Sequence, residues 1–250
     1  MQAGAALVRV ACSPDGRLVA ATTGAGSVQV WDPVTRLPIG PPLVEGTVLP
    51  WCLAFSPDGR LLATGSADWT LALWKASGKR LGESPQAHVN EVVGIAFAPD
   101  GRRLVSSGAD GRVQWWAAGP RLRFDGLSLG HQGTVWSAAF SPDGTVPATA
   151  GADATVRLWE PNGGGQIGEP LTGHSSAVYE VAFSPDGRLL ASAGEDGRVR
   201  LWDPSAGRPV GGPLEGHAEA VNAVAFSPDG SLLVTAGRDG TLNRRIIGPP

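Results

Sequence analysis

The chain has 250 residues, a net charge of −3 and 17% charged residues, with acids and bases mixed along its length. That balance provides no basic stripe for a phosphate backbone, and no apolar run reaches the roughly 18 to 20 residues needed to cross a bilayer. Met1-Gln2-Ala3-Gly4-Ala5 lacks the charged head of a secretory leader, so the composition points to a soluble, cytoplasmic protein with neither nucleic acid nor membrane as partner.

The first expected element is a strand, Leu7 to Cys12, closed by Ser13-Pro14-Asp15-Gly16. This tetrapeptide returns as Ser56 to Gly59, Ala98 to Gly101, Ser141 to Gly144, Ser184 to Gly187 and Ser227 to Gly230, at steps of 43, 42, 43, 43 and 43 residues. Trp31, Trp74, Trp116, Trp159 and Trp202 each stand 18 residues after the start of a tetrapeptide. A period of roughly 40 to 45 residues marks small units that bury their faces only against neighbours, as in a propeller or solenoid. Cys12 takes the place held elsewhere by Phe55, Phe97, Phe140, Phe183 and Phe226, and is expected in the core. With Cys52, 40 residues on, it matches no disulfide framework and no metal-ligand spacing. Only Lys75 and Lys79 are lysines, a bias that suits a GC-rich coding source.

The unit Gly173 to Pro213 shows the elements in order. Val178, Val181 and Phe183 form an apolar strand ending at Ser184-Pro185-Asp186-Gly187, where Pro presets the second turn position and Gly tolerates the fourth. Leu189 to Ala193 is the return strand, Asp196-Gly197 a strong hairpin signal, and Val199-Arg200-Leu201-Trp202 alternates as a half-buried third strand. Asp203-Pro204 stops it, and Arg208 to Leu214 reads as a weak, Pro-broken fourth strand suited to an outer edge. The expected fold class is all-β: a β-propeller of about six four-stranded antiparallel blades, the last incomplete. The units fall at about 1–44, 45–87, 88–130, 131–173, 174–216 and 217–250 within a single domain.

Gly173-His174, Ser184-Pro185-Asp186-Gly187, Asp196 and Trp202-Asp203 resemble the signature of the WD-repeat β-propeller family, and the resemblance covers nearly the whole chain. In that family a His before the first strand, a Ser or Thr on the second, an Asp in the next turn and the Trp of the third form a buried hydrogen-bonded network. The resemblance therefore implies networks of His88, Ser106, Asp110 and Trp116; of His131, Thr149, Asp153 and Trp159; and of His174, Ser192, Asp196 and Trp202. It also implies a docking surface for a protein or peptide, with no activity of its own and no cofactor. In similar bacterial proteins such arrays often follow a kinase, protease or ATPase domain, which would make this stretch the sensor or scaffold part of a larger signalling protein.

Other units depart from the pattern. The first has Ala25 for the turn Asp and no preceding His; the second keeps Thr64, Asp68 and Trp74 but has Gly46 in the His position. The sixth keeps His217, Thr235 and Asp239, while Arg245 falls where Trp is due. Ile247-Gly248-Pro249-Pro250 echoes Ile39-Gly40-Pro41-Pro42, but 8 residues separate it from Asp239 against 14 between Ala25 and Ile39. Complete networks are expected only in the middle three units, the lowest stability at the two ends, and a chain that is either a fragment or an open-seamed array.

Catalytic chemistry finds little foothold. All four histidines, His88, His131, His174 and His217, occupy the same position in their units, and the tetrapeptide aspartates serve turns. Gly163-Gly164-Gly165 and Gly78-Lys79 read as linkers, since no helix follows to make a phosphate cradle. The non-repeating positions carry more information. Four residues before each Phe stand Val8, Trp51, Val93, Trp136, Tyr179 and Asn222; the resemblance places them near the mouth of the central channel. Trp69 replaces the Gly expected after Asp68 on that same face. Trp51, Trp69, Trp136 and Tyr179 read either as anchors for a partner or as packing that plugs the axis. Glu195 and Arg238, just before the turn Asp where other units have small residues, read as selectivity charges or as a solvated rim. Trp115, beside Trp116, is expected on the alternate face of its strand. The alternative function is a propeller-type hydrolase or lactonase with a channel site, and a third reading is a degraded relic.

Overall fold

Short alternating runs between Pro-, Asp- and Gly-rich turns produce strands throughout. The computed structural model describes residues 7–44, 49–84, 86–119, 122–163 and 165–247, and contains no helix among them. Met1 to Ala5, Gly46, Gly164 and Gly248 to Pro250 lie outside the described residues. The strands make six antiparallel sheets, each a meander, distributed over two compact units, Met1–Leu127 and Ser128–Pro250.

In the first unit, blade 1 comprises β1 (Leu7–Cys12), β2 (Val19–Thr23), β3 (Ser27–Trp31) and β4 (Leu43–Val44). Blade 2 comprises β5 (Pro50–Phe55), β6 (Leu61–Ser66), β7 (Leu71–Lys75) and β8 (Arg80–Ser84). Blade 3 comprises β9 (Val92–Phe97), β10 (Arg103–Gly108), β11 (Arg112–Ala117) and β12 (Arg123–Leu129). In the second unit, blade 4 comprises β13 (Val135–Phe140), β14 (Pro147–Gly151), β15 (Val156–Trp159) and β16 (Gln166–Leu171). Blade 5 comprises β17 (Val178–Phe183), β18 (Leu190–Gly194), β19 (Val199–Asp203) and β20 (Arg208–Pro209), and blade 6 comprises β21 (Val221–Phe226), β22 (Leu232–Gly237) and β23 (Leu242–Ile246). Within each unit the first strands of successive blades pack together, β1 on β5 on β9 and β13 on β17 on β21.

The repeated tetrapeptide works through its side chains as well as its backbone. Ser184 Oγ donates to Asp186 at 2.6 Å and accepts the Leu189 amide at 2.9 Å, while Gly187, at φ 73°, closes the turn onto the Ser184 carbonyl at 2.9 Å. The same Ser–Asp bond recurs at Ser13, Ser56, Ser141 and Ser227. Asp229 is pulled down to about 2 by the Ser227 hydroxyl and by the amide and hydroxyl of Ser231.

Packing between blades follows the repeat. Phe55 of blade 2 is buried against Ala20 and Val30 of blade 1, and Phe97 of blade 3 against Ala63 and Leu73 of blade 2. Cys12 corrects the sequence expectation, for it is exposed. Its counterparts Phe55 and Phe97 are buried, and Phe183 and Phe226 partly buried, against the preceding blade of their unit, whereas blade 1 has no preceding blade within its unit. Cys52 is buried, with its thiol directed at the Val92 carbonyl at 3.4 Å. Trp115 is buried beside Trp116, with the two indoles on opposite faces of β11. The fourth strand of blade 5 shrinks to Arg208–Pro209 plus a bridge between Val199 and Leu214, and blade 6 has three strands among the described residues.

Candidate functional site

The framework residues come together as hydrogen-bonded chains. In blade 4, Trp159 Nε1 donates to Thr149 Oγ1 at 2.8 Å, Thr149 Oγ1 stands 2.8 Å from His131 Nε2, and His131 Nδ1 is 2.9 Å from Asp153. An ionised carboxylate only accepts, so Nδ1 carries the proton, Nε2 receives the hydroxyl hydrogen, and the hydroxyl oxygen is left to accept the indole N–H. Blade 3 repeats the chain with Trp116, Ser106, His88 and Asp110, at 2.8, 2.8 and 3.0 Å. Blade 5 repeats it with Trp202, Ser192, His174 and Asp196, also at 2.8, 2.8 and 3.0 Å. Each Asp also takes the amide of the residue after its His: Val89, Gln132 or Ser175. Burial works against ionisation of Asp110, Asp153 and Asp196, yet these donors hold all three carboxyls below the usual range. Burial also pushes His174 down and so favours its neutral ring, aided by the Arg200 charge and opposed by the charge and hydrogen bond of Asp196.

Glycine accompanies the histidine for a steric reason the sequence reading missed. A Cβ at Gly108, Gly151, Gly194 or Gly237 would lie 2.4, 2.2, 2.9 or 2.3 Å from the Nδ1 of His88, His131, His174 or His217. Blades 1 and 2, which have no such His, carry Thr23 and Ser66 at this position. In blade 2 the shortened chain is Trp74 Nε1 donating to Thr64 at 3.0 Å. In blade 6 His217 holds Thr235 at 2.8 Å and Asp239 at 3.2 Å, and the Arg245 guanidinium reaches the Glu215 carbonyl instead of filling the indole's place.

The positions that break the repeat share a backbone feature. In every blade the first two strands slip register by one residue, between Leu7 and Arg9, Pro50 and Cys52, Val92 and Gly94, Val135 and Ser137, Val178 and Glu180, and Val221 and Ala223. The bulged residue is therefore Val8, Trp51, Val93, Trp136, Tyr179 or Asn222, the series singled out from the sequence. A bulge takes one residue out of the alternation and re-aims its side chain. Beside it, the residue before the turn Asp donates its amide to the carbonyl two residues ahead of the bulge: Ala67 to Leu49, Ala109 to Glu91, Ala152 to Thr134, Glu195 to Ala177 and Arg238 to Ala220. Bulge residue and turn residue thus lie side by side at one end of blades 2 to 6.

In the second unit this end carries a connected group. Trp136, 39% exposed, meets Tyr179 edge to face, with centroids 5.8 Å apart and planes at 89°. The Tyr179 hydroxyl donates to Glu195, which also accepts from the Ser176 hydroxyl. The hydrogen bonds from Ser176 and Tyr179, the Ala177 backbone contact and the charge of exposed Arg238 hold the Glu195 carboxyl below its usual range. Burial and the Glu195 charge raise Tyr179, so its proton stays on the hydroxyl. Glu195 is consequently tied to Tyr179 rather than being a free rim charge, and Asn222 is exposed on the next blade. In the first unit, Trp51 is half-buried, its indole N–H enclosed without an acceptor among the described residues, and its carbonyl accepts Arg9 Nε at 3.3 Å. Trp69 is 40% exposed at φ 72°, where the equivalent Gly26, Gly111, Gly197 and Gly240 have φ of 82°, 77°, 73° and 76°. Holding a bulky L-residue there costs on the order of 1 to 2 kcal/mol.

Among the described residues no group of three His, Cys, Asp or Glu is placed to hold a metal ion. No curated protein matches the chain. A family profile described as WD domain, G-beta repeat matches residues 4–32, 45–75, 79–117, 126–160, 165–203 and 208–243. Proteins of this kind are commonly non-catalytic scaffolds for protein interaction. Six profile matches, six blade sheets and the repeated Trp–hydroxyl–His–Asp chain agree, and the chain belongs to the WD40 repeat family of β-propellers.

Proposed function

We propose that this chain is a non-catalytic docking module whose partner is a protein or peptide, bound at the bulge end of its blades. The observation that carries the reading is the bulge itself: in all six blades the residue that departs from the repeat is the one released from the sheet's alternation. A scaffold with a fixed framework and one position per blade outside the sheet's alternation is suited to recognition. The residues offered are Trp51 and Trp69 in the first unit and Trp136, Tyr179, Glu195 and Arg238 in the second. Part-exposed aromatics with an adjoining charge of each sign supply apolar anchors and orientation together. The four histidines are each engaged by an Asp and a hydroxyl, which supports a framework role over a hydrolase or lactonase chemistry. Joined to an enzyme domain in a longer signalling protein, such a module would supply the sensor.

The test is affinity capture with the wild type beside a Trp51→Ala, Trp69→Ala, Trp136→Ala triple variant whose fold is checked by circular dichroism. Loss of specifically captured proteins is expected. If the folded variant keeps every one of them, the docking surface lies elsewhere.

A further inference from the structure

The sixth blade keeps the hydroxyl and the histidine of the framework but has Arg245 in place of its indole. Trp202 of blade 5 sits in a cluster with Leu190 of its own blade and with Val156 and Leu171 of the blade before. One repeat on, the counterparts are Leu233, Val199 and Leu214, with Arg245 in the Trp position opposite Leu233 and Thr235 in the place of Ser192. The pairing that joins the neighbouring blade's two residues is kept as well, Val156 with Leu171 and Val199 with Leu214. These residues line a cavity of about 170 Å³, which His217, Thr235 and Arg245 also face. For comparison, an apolar cavity of roughly 150 Å³ is large enough to take benzene.

Polar groups in this cavity are set for one kind of ligand. Thr235 is 8% exposed and stands 2.8 Å from His217 Nε2, where its hydroxyl hydrogen is used. The lone pair that accepts an indole N–H in blades 3, 4 and 5 faces the cavity in blade 6. Arg245 is exposed and lines the cavity, with its guanidinium on the Glu215 carbonyl at 3.1 Å; a guanidinium is a group that can cover an aromatic face, as Arg80 covers the Trp74 ring at 5.1 Å. We propose that blade 6 holds a binding site for an indole ring, a planar bicycle seated on Leu233, Val199 and Leu214 with its ring N–H donated to Thr235 Oγ1. The ring comes either as a small free indole or as a tryptophan side chain. The site lies in the framework slot rather than at the bulge end, and it stands whether or not the docking reading holds.

Ligand-observed NMR on the whole chain with indole, 1-methylindole and N-acetyl-tryptophanamide tests this, with the methyl signals of Val199, Leu233 and Thr235 reporting the location. A nine-atom ring is expected to saturate with a dissociation constant on the order of 1 mM. Loss of the N–H in 1-methylindole should weaken binding about tenfold. Tight binding of N-acetyl-tryptophanamide would identify a tryptophan side chain as the source, and its exclusion while indole binds would identify a free indole. Arg245→Trp should fill the slot, raise the melting temperature and abolish binding. No saturable indole binding, equal affinity for 1-methylindole, or undiminished indole binding by a folded Arg245→Trp variant would each overturn the proposal. The comparison of indole with 1-methylindole uses the wild type alone and decides the matter even if the variant misfolds.

Discussion

Replacing Thr149 by valine isolates what one framework hydroxyl contributes. Thr149 is fully buried, and its hydroxyl engages both His131 Nε2 and Trp159 Nε1 at 2.8 Å. Valine keeps the branched shape and leaves two buried groups without partners, each costing roughly 1 to 3 kcal/mol, so the expected loss is about 3 kcal/mol. Thr235, in the same compact unit, makes one such contact, with His217 Nε2, and Thr235→Val should cost about half as much. Urea unfolding followed by circular dichroism is the assay. With a slope of about 2 kcal/mol per molar, the midpoints should fall by about 1.5 M and about 0.7 M. Amide exchange assigns each loss to its blade, because stability in repeat proteins is a sum of local and nearest-neighbour contributions. Equal losses in the two variants, or a greater one for Thr235→Val, would refute the view that the closed indole–hydroxyl–imidazole chain stabilises the middle blades beyond the sixth.

Three further outcomes are expected. Gly151→Ala, whose new Cβ would lie 2.2 Å from His131 Nδ1 and 2.7 Å from Asp153, should lower stability by roughly 2 to 3 kcal/mol, read as a fall in melting temperature. Trp69→Gly should lose no stability and gain up to about 1 kcal/mol in chemical denaturation, because the φ of 72° is relieved at a half-exposed position while the added chain entropy of glycine offsets part of the gain; a loss above about 1 kcal/mol would show that the indole packs into the fold. His174 has a folded pKa below its ordinary 6.5, so the unfolded chain takes up the proton first, and the stability is complete above about pH 7 and lost as pH falls through 6.5 toward the folded value. A second decline should begin near pH 4, where the carboxyls of Asp110, Asp153 and Asp196, held below 3.8 in the fold, take up protons in the unfolded chain. Urea midpoints from pH 8 to pH 3 check both steps, and a midpoint that rises between pH 7.5 and pH 5.5 would contradict the first.

The sequence yielded the blade because its signals are local and repeated: each Ser-Pro-Asp-Gly both makes a turn and sets the register of the strands it joins, and each Trp marks a third strand. It yielded the partners of His131 and His174 only through resemblance, since residues 18 and 22 positions apart meet across a sheet whose register has to be known first. Cys12 was misplaced because its position in the repeat implies burial, whereas burial at that position comes from the preceding blade. The dependence of Gly108, Gly151, Gly194 and Gly237 on their histidines is written in the sequence, since Thr23 and Ser66 appear where no His does, but its meaning rests on distances.

Bulges are least visible of all, because a one-residue slip leaves no compositional mark and no single residue type is common to Val8, Trp51, Val93, Trp136, Tyr179 and Asn222. That diversity follows from the geometry. A residue inside the ladder must match its facing neighbour, whereas a bulged residue is outside the alternation and can change without disturbing the sheet. Departures at a framework position act in the opposite sense. Trp136 and Tyr179 add side chains at the end of a blade, and Arg245 removes one from between two blades, leaving His217 and Thr235 still linked beside an open slot. The first kind of change adds recognition surface at little structural cost. The second trades a buried indole for a cavity, and with it local stability for a place where a ligand can restore the missing contact.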